Sequence, residues 1–310
     1  MKKSIIALAI SSAALASVST HASEDSTVDV YGNIQYAFIG GDAGSEFADN
    51  GSTFGFKGEA KIDEDLTAFF KYELEADADE NTKDIDVNLD QAFVGLIGSF
   101  GKVQVGTFDP IYDNAIQDSV DQFEVFGFDQ TSTSSEGDTI AYFSPSFGGF
   151  EVQVAAQVKG SAEAEDSGNA LAAVLKYNAD AVTVALGYDS LDNVNENSET
   201  VGLSVAYQVN ESFVVTAAIE AEDDVKDIYG LSARYGYGYG DLYASAQSIS
   251  PEVGDDYEEY AAGVSYNLAS NVYVYGEVGQ FTVDEDTQTA IGVYYGFEDL
   301  VIDFIYSKAL

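Results

Sequence analysis

QAFVGLIGSFGKVQVGTFDP, residues 91–110, holds two strands and the turn between them. An apolar run ends at Gly98-Ser99-Phe100-Gly101, after which Lys102, Gln104 and Gly106 alternate with Val103 and Val105. A period of two gives a strand two unlike faces, and the glycine-bounded tetrad is short enough to return the chain as a hairpin. The alternation extends outward from this stretch. Phe150, Val152, Val154 and Ala156 oppose Glu151, Gln153 and Gln157; Ala68, Phe70, Tyr72 and Leu74 oppose Thr67, Lys71, Glu73 and Glu75; Phe213, Val215, Ala217 and Ile219 oppose Thr216, Glu220 and Glu222. What the apolar face meets, a protein core or lipid, then decides the fold.

A repeat in the second half helps to answer this. Tyr177, Tyr207, Tyr235, Tyr266 and Tyr295 each precede a short turn, at intervals of 30, 28, 31 and 29 residues. Without helical signals, a period near thirty is two strands plus one short and one long connection. The short turns share one end of the strand pairs, while the other end carries long acidic stretches such as EADADENTKDID (75–86), KGSAEAEDSGN (159–169) and SPEVGDDYEE (250–259). This is an up-and-down meander, and closing it into a barrel removes its exposed edges. A sandwich or a small barrel needs an apolar interior. Here the polar face carries charge and the apolar face is rich in Val, Ala, Phe and Tyr, which suits a wide barrel with apolar residues toward lipid and polar residues lining water. The recurring tyrosines would form an aromatic girdle at the membrane interface.

Composition sets further bounds. The 310 residues contain three scattered prolines and no linker, which indicates one domain. Met1-Lys2-Lys3, the apolar segment Ser4–Val18 and Thr20-His21-Ala22 form the three sections of a secretory signal peptide, so residues 1–22 are expected to be removed and 23–310 to form the barrel. Removal takes Lys2 and Lys3, two positive charges, from a net −42 and leaves −44. It also takes the single histidine, and the chain has no cysteine. Ser-His and Cys-His catalysis, Cys/His zinc sites and disulfides are thereby excluded. A polyanion is a poor partner for this excess of carboxylate, so no nucleic acid is expected. With so many acids a glycosidase-like pair arises by chance, and no EF-hand spacing occurs; the expectation is no enzyme, no cofactor and no metal.

VDVYGNIQYAF (28–38), STFGFKGEAKIDEDLTAFFKYELEAD (52–77), QAFVGLIGSFGKVQVGTFDP (91–110) and TIAYFSPSFGGFEVQVAAQ (139–157) resemble successive strand-turn-strand blocks of the Gram-negative general porins. The resemblance is specific in the first half and one of pattern in the second. It implies an all-β transmembrane barrel of about sixteen strands in the cell outer membrane, assembled as a homotrimer amid lipid and lipopolysaccharide. Such a barrel passes small hydrophilic solutes and ions by passive diffusion, and its third loop folds into the lumen. The family pattern places basic residues opposite that loop at positions matched here by Thr53, Thr107 and Phe143, none of them basic. Porins usually end on an aromatic residue. TAIGVYYGF (289–297) would make such an ending, yet EDLVIDFIYSKAL follows, and counting it as a strand gives seventeen, an odd number that antiparallel closure disfavours.

The segment after Thr107 is too long for a hairpin turn and carries Asp109, Asp113, Asp118, Asp121, Glu124 and Asp129 among the aromatics Tyr112, Phe123, Phe126 and Phe128. Spacing alone leaves a pore-lining loop and a solvated surface loop open; the resemblance implies the lumen. In that setting Asp109, Asp113, Asp118, Asp121 and Glu124 would form the constriction, with Asn33, Thr53, Lys57, Lys71 and Thr107 on the facing wall, and the channel is expected to prefer cations. Two rivals fit the same residues. One is an oligosaccharide-selective channel with Tyr31, Tyr243, Tyr273 and Tyr275 as an aromatic slide, and the other is a structural or adhesive barrel with a plugged lumen.

Overall fold

The computed structural model describes residues 26–41, 44–79, 86–134, 136–158, 169–191, 198–281 and 286–298. Strands follow one another with almost no helix. They are β1 (Ser26–Gly41), β2 (Gly44–Asp49), β3 (Thr53–Lys61), β4 (Leu66–Ala76), β5 (Val87–Gly98), β6 (Gly101–Thr107), β7 (Thr139–Phe143), β8 (Phe150–Val158) and β9 (Asn169–Ala179). The second half adds β10 (Val182–Asp189), β11 (Thr200–Asn210), β12 (Phe213–Glu222), β13 (Lys226–Gly236), β14 (Asp241–Pro251), β15 (Tyr257–Ala269), β16 (Val272–Phe281) and β17 (Asp286–Phe297). Every pairing is antiparallel and, apart from β3, which pairs with β1 and not with β2, joins sequence neighbours until β17 returns to β1, from Gly32 opposite Phe297 to Gly40 opposite Thr289. This seam closes the sheet and leaves no edge.

Although seventeen segments are present, β2 and β3 lie along the same side of β1, pairing with its second and first halves respectively. They form one stave interrupted at Asn50–Ser52, which makes a sixteen-stave barrel. Asp49 causes the break by accepting the backbone N–H of Gly51 at 3.0 Å and of Ser52 at 2.8 Å, an Asx-type turn that takes the chain out of the ladder. The seventeenth strand expected from the C-terminal tail is therefore unnecessary: TAIGVYYGF is the closing stave, and residues 299–310 lie outside the described residues, as does the proposed signal peptide.

The expected parity is the observed one. Phe150, Val152, Val154, Ile219 and Leu231 are exposed on the outer surface, whereas Gln157, Thr216, Glu220 and Glu222 on the inner face are buried. Tyr207, Tyr235, Tyr266 and Tyr295 are exposed beside the short turns, where a girdle requires them. The opening stretch is β5 and β6 joined at Ser99-Phe100. Gly101 has φ +106°, a conformation open to glycine that L-residues rarely adopt, and it turns the chain into β6. At the far end Gly106, with φ +139°, lets the backbone leave the ladder for residues 108–138.

Candidate functional site: the loop inside the barrel

Residues 108–134 do not lie on the outer surface. They fold into the barrel and pack on its inner wall. Ile111, Tyr112, Ala115 and Ile116 form a buried cluster with Ala172 and Val174 of β9 and Ala185 of β10; Phe126 and Phe128 form another with Ala261, Phe281 and Ala290 of β15–β17. Burial of each such side chain is worth about 1.5–3 kcal/mol. Small wall residues make the close approach possible. A Cβ at Gly187 would meet Tyr112 Cδ2 at 2.8 Å, and one at Gly230 would meet Val120 at 3.0 Å.

Wall carboxylates hold the loop backbone in register with the barrel. Glu277 accepts the N–H groups of Glu124 and Val125 at 2.8 and 3.2 Å, Glu259 that of Asp129 at 2.7 Å, Glu222 that of Ser132 at 2.9 Å, and Asp189 that of Ser134 at 3.0 Å. Glu220 accepts from Gln117 Nε2 at 3.1 Å and Thr131 Oγ1 at 2.6 Å. Hydrogen bonds to charged acceptors contribute roughly 1.5–3 kcal/mol each, so this set fixes the loop's position. Sequence parity places these acids on the polar face, but their role as loop anchors depends on partners up to 153 residues away.

This packing divides the five predicted loop carboxylates. Asp109 and Asp118 are exposed to the lumen, Asp109 accepting Gln91 Nε2 at 2.9 Å. Asp121 turns back into the loop to accept the N–H groups of Phe123 and Phe128, each at 3.3 Å. Glu124 accepts Tyr273 Oη at 3.0 Å, and Asp113 accepts Thr133 Oγ1 at 3.3 Å with its other oxygen buried and unpartnered. Burial, with the nearby charges of Asp118, Asp189 and Glu220, pushes Asp113 up to about 7. The surrounding protein and the charges of Asp109 and Asp121 push Asp118 up to about 6. Burial also raises Asp121 and Glu124 above the ordinary carboxylate range.

Facing the loop across the open lumen is the wall of β1 and β3–β6. Asn33 donates to Thr53 Oγ1 at 2.8 Å. Lys57 pairs with Glu298 at 3.2 Å and lies 5.0 Å from the Tyr31 ring centre. Lys71 bonds Glu73 at 3.2 Å and Gln91 Oε1 at 3.0 Å. Thr107 pairs with Ala92 on the last rung before the loop, directly after Gly106 with its φ of +139°, and its Oγ1 lies 3.7 Å from where a Cβ on Gly137 would stand. The lysines expected on the wall, Lys57 and Lys71, are joined by two more. Although Thr53, Thr107 and Phe143 are uncharged, Lys57, Lys71, Lys102 and Lys176 supply ammonium groups from neighbouring lumen-facing positions, Lys102 lying 3.9 Å above the Phe143 ring centre. Tyr31, Tyr243, Tyr273 and Tyr275 all share the inward register, and Tyr273 stacks on Tyr294 with centroids 4.7 Å apart.

Comparison with known proteins agrees with this architecture. A sequence model of the Gram-negative porin family matches residues 6–286. Two curated relatives, a monosaccharide porin of Halomonas sp. and the major outer membrane protein of Halomonas elongata, are each 34% identical over 96% of this chain and 100% of their own. Among solved structures, the anion-selective porin from Comamonas acidovorans superposes with a TM-score of 0.71 at 17% identity, covering 88% of this chain and all of that one. The Salmonella typhi OmpF complex with daunomycin gives 0.73 at 19% identity, covering 88% and 98%.

Proposed function

The chain belongs to the Gram-negative porin family, and on that premise we propose that it is a passive, cation-preferring channel for ions and small hydrophilic solutes. It is a channel protein of the outer membrane and not an enzyme. The observation that carries the proposal is the loop of residues 108–138, anchored along β9–β16 so that a passage lined by Asp109 and Asp118 on one side and lysines on the other stays open to water. The working form is a homotrimer in lipid and lipopolysaccharide, made from residues 23–310 after removal of residues 1–22. Purified protein added to a planar bilayer should give discrete conductance steps and a reversal potential of cationic sign; a silent bilayer would argue for the plugged barrel. Mild detergent extraction should yield an oligomer of about three chains, as tight homo-oligomeric barrels give on unheated gels.

A second reading is favoured by the tyrosines. Tyr273 and Tyr294 stack on adjoining lumen-facing positions of β16 and β17, with Tyr31 on the inward face of β1, and aromatic faces of this kind accept the C–H face of a sugar ring. A relative that aligns over nearly the whole chain is named a monosaccharide porin. On this reading pentoses and hexoses are among the solutes that pass, and liposomes carrying the protein should swell faster in hexose than in disaccharide solutions.

A further inference from the structure

A cleft of about 270 Å³ opens between the first limb of the inward loop and strands β5–β9. Its volume is close to the lower end of the roughly 300–1,000 Å³ typical of small-molecule sites. Lys102 and Gln104 of β6, Phe143 of β7, Gln153 of β8, Lys176 of β9 and Asp109 of the loop face into it. Most polar groups elsewhere along the loop are bound to the wall, but several here are not. Among the described residues neither Lys102 nor Lys176 is in an ion pair, and the side-chain amides of Gln104 and Gln153 have no hydrogen-bond partner. Gln104 is nevertheless 5% exposed. Its amide atoms are not among the fully buried groups left without a partner, so they stay open to the water of the cleft and to whatever enters it.

Resting on the channel reading, we propose that this cleft is a binding subsite for small polyhydroxylated carboxylates, the sugar acids of the aldonic and uronic class. Each part of such a molecule has a counterpart. Its carboxylate meets Lys102 and Lys176, one ammonium from each side of the cleft. Its hydroxyls find Asp109, which accepts hydrogen bonds only, and the amides of Gln104 and Gln153, which donate and accept. Its C–H face rests on Phe93 of β5, which also lines the cleft, because Lys102 covers a face of the Phe143 ring. A bare inorganic anion would leave the amides and the ring unused and would be repelled by Asp109. A neutral sugar would leave both ammonium groups unpaired. Glu151, opposite Lys176 in the strand register, and Asp118 of the loop are the other carboxylates near Lys176; they temper the site and favour a single negative charge on the ligand.

The full-length protein in planar bilayers tests this. With sodium D-glucuronate as the probe, the open-channel current should show resolved interruptions that saturate with concentration, while D-glucose and sodium acetate at equal concentration give about tenfold weaker block or none. Lys102→Gln and Lys176→Gln should each weaken the glucuronate block about tenfold, as loss of one charge-assisted contact does. Lys61→Gln, at the exposed end of β3, should leave it unchanged. Single-channel conductance of every variant shows that the barrel is folded. A conducting wild type that glucuronate does not block, a block that survives the double lysine variant, or equal block by acetate overturns the subsite and leaves the channel standing. A protein with no conductance overturns the channel reading and the subsite with it.

Discussion

The carboxylates of the inward loop illustrate how position sets the charge of a residue. Asp113 and Asp118 are four and nine residues beyond Asp109, yet burial and neighbouring acids place them at about 7 and about 6, well above the roughly 3.9 of a free aspartate. The sign follows directly. Below about pH 4 both are neutral whether the loop is docked or released. Between about pH 4 and 7 a released loop would ionise while the docked loop keeps its protons, so rising pH weakens docking across that window. Charge in the passage changes in the same direction, because Asp118 gains its full negative charge only above about 6. The cation preference, measured as a reversal potential at fixed salt, should therefore fall between pH 8 and pH 5. In Asp118→Asn the fall should be smaller and the pH 8 preference lower. A reversal potential independent of pH over this range would mean that Asp118 does not face the permeating ions.

At the level of strands and loops, the alternation in QAFVGLIGSFGKVQVGTFDP was enough to read a hairpin, and repetition of the pattern was enough to read a barrel with its polar face inward. Parity is local, which explains its success: Val154→Arg on the outer face should cost about 2–4 kcal/mol at mid-membrane and impair assembly, whereas Gln153→Arg, one residue away, should be tolerated. Heat-modifiable mobility of the two variants on gels checks this, and equal effects would refute the assignment. Long-range features were less legible. The break at Asn50–Ser52 that merges two segments into one stave rests on the Asp49 turn, and the anchoring of Ser132 by Glu222 or of Val125 by Glu277 rests on sheet register, which the alternation does not carry. The same holds for Gly202, an ordinary strand glycine in sequence. In the fold it leaves room for Tyr112 and Ile116, which a Cβ there would strike. Gly202→Leu should leave the barrel assembled, since the residue faces inward, but should lift this limb of the loop. The expected readout is a changed single-channel conductance with unchanged β circular dichroism.

For the molecule as a whole, selectivity depends on how unlike charges are distributed around one water-filled passage. The net charge of −42 is a poor guide by itself, because several wall acids, among them Glu220, Glu222, Glu259 and Glu277, are occupied in holding the loop. The groups left to act on ions are Asp109 and Asp118 on the loop and Lys57, Lys71, Lys102 and Lys176 opposite, with Lys57 and Lys71 partly offset by Glu298 and Glu73. Two unit charges about 4 Å apart interact by roughly 1 kcal/mol in bulk water and about 4 kcal/mol at an effective dielectric of 20, so unpaired groups in a narrow lumen outweigh distant surface acids. The acidic outer connections still raise the cation concentration at the mouth, over a range set by the Debye length. The two contributions separate with salt. The mouth effect should fade as ionic strength rises from about 0.1 to 1 M and the Debye length shrinks from about 10 to 3 Å, whereas the residual selectivity belongs to the constriction. Asp109→Asn with Asp118→Asn should lower the cation preference at both ionic strengths, and Lys102→Gln with Lys176→Gln should raise it. If both double variants match the wild type at high salt, the narrowest water is not beside this loop; an anion-selective wild type would show that the lysine wall, and not the loop, governs passage.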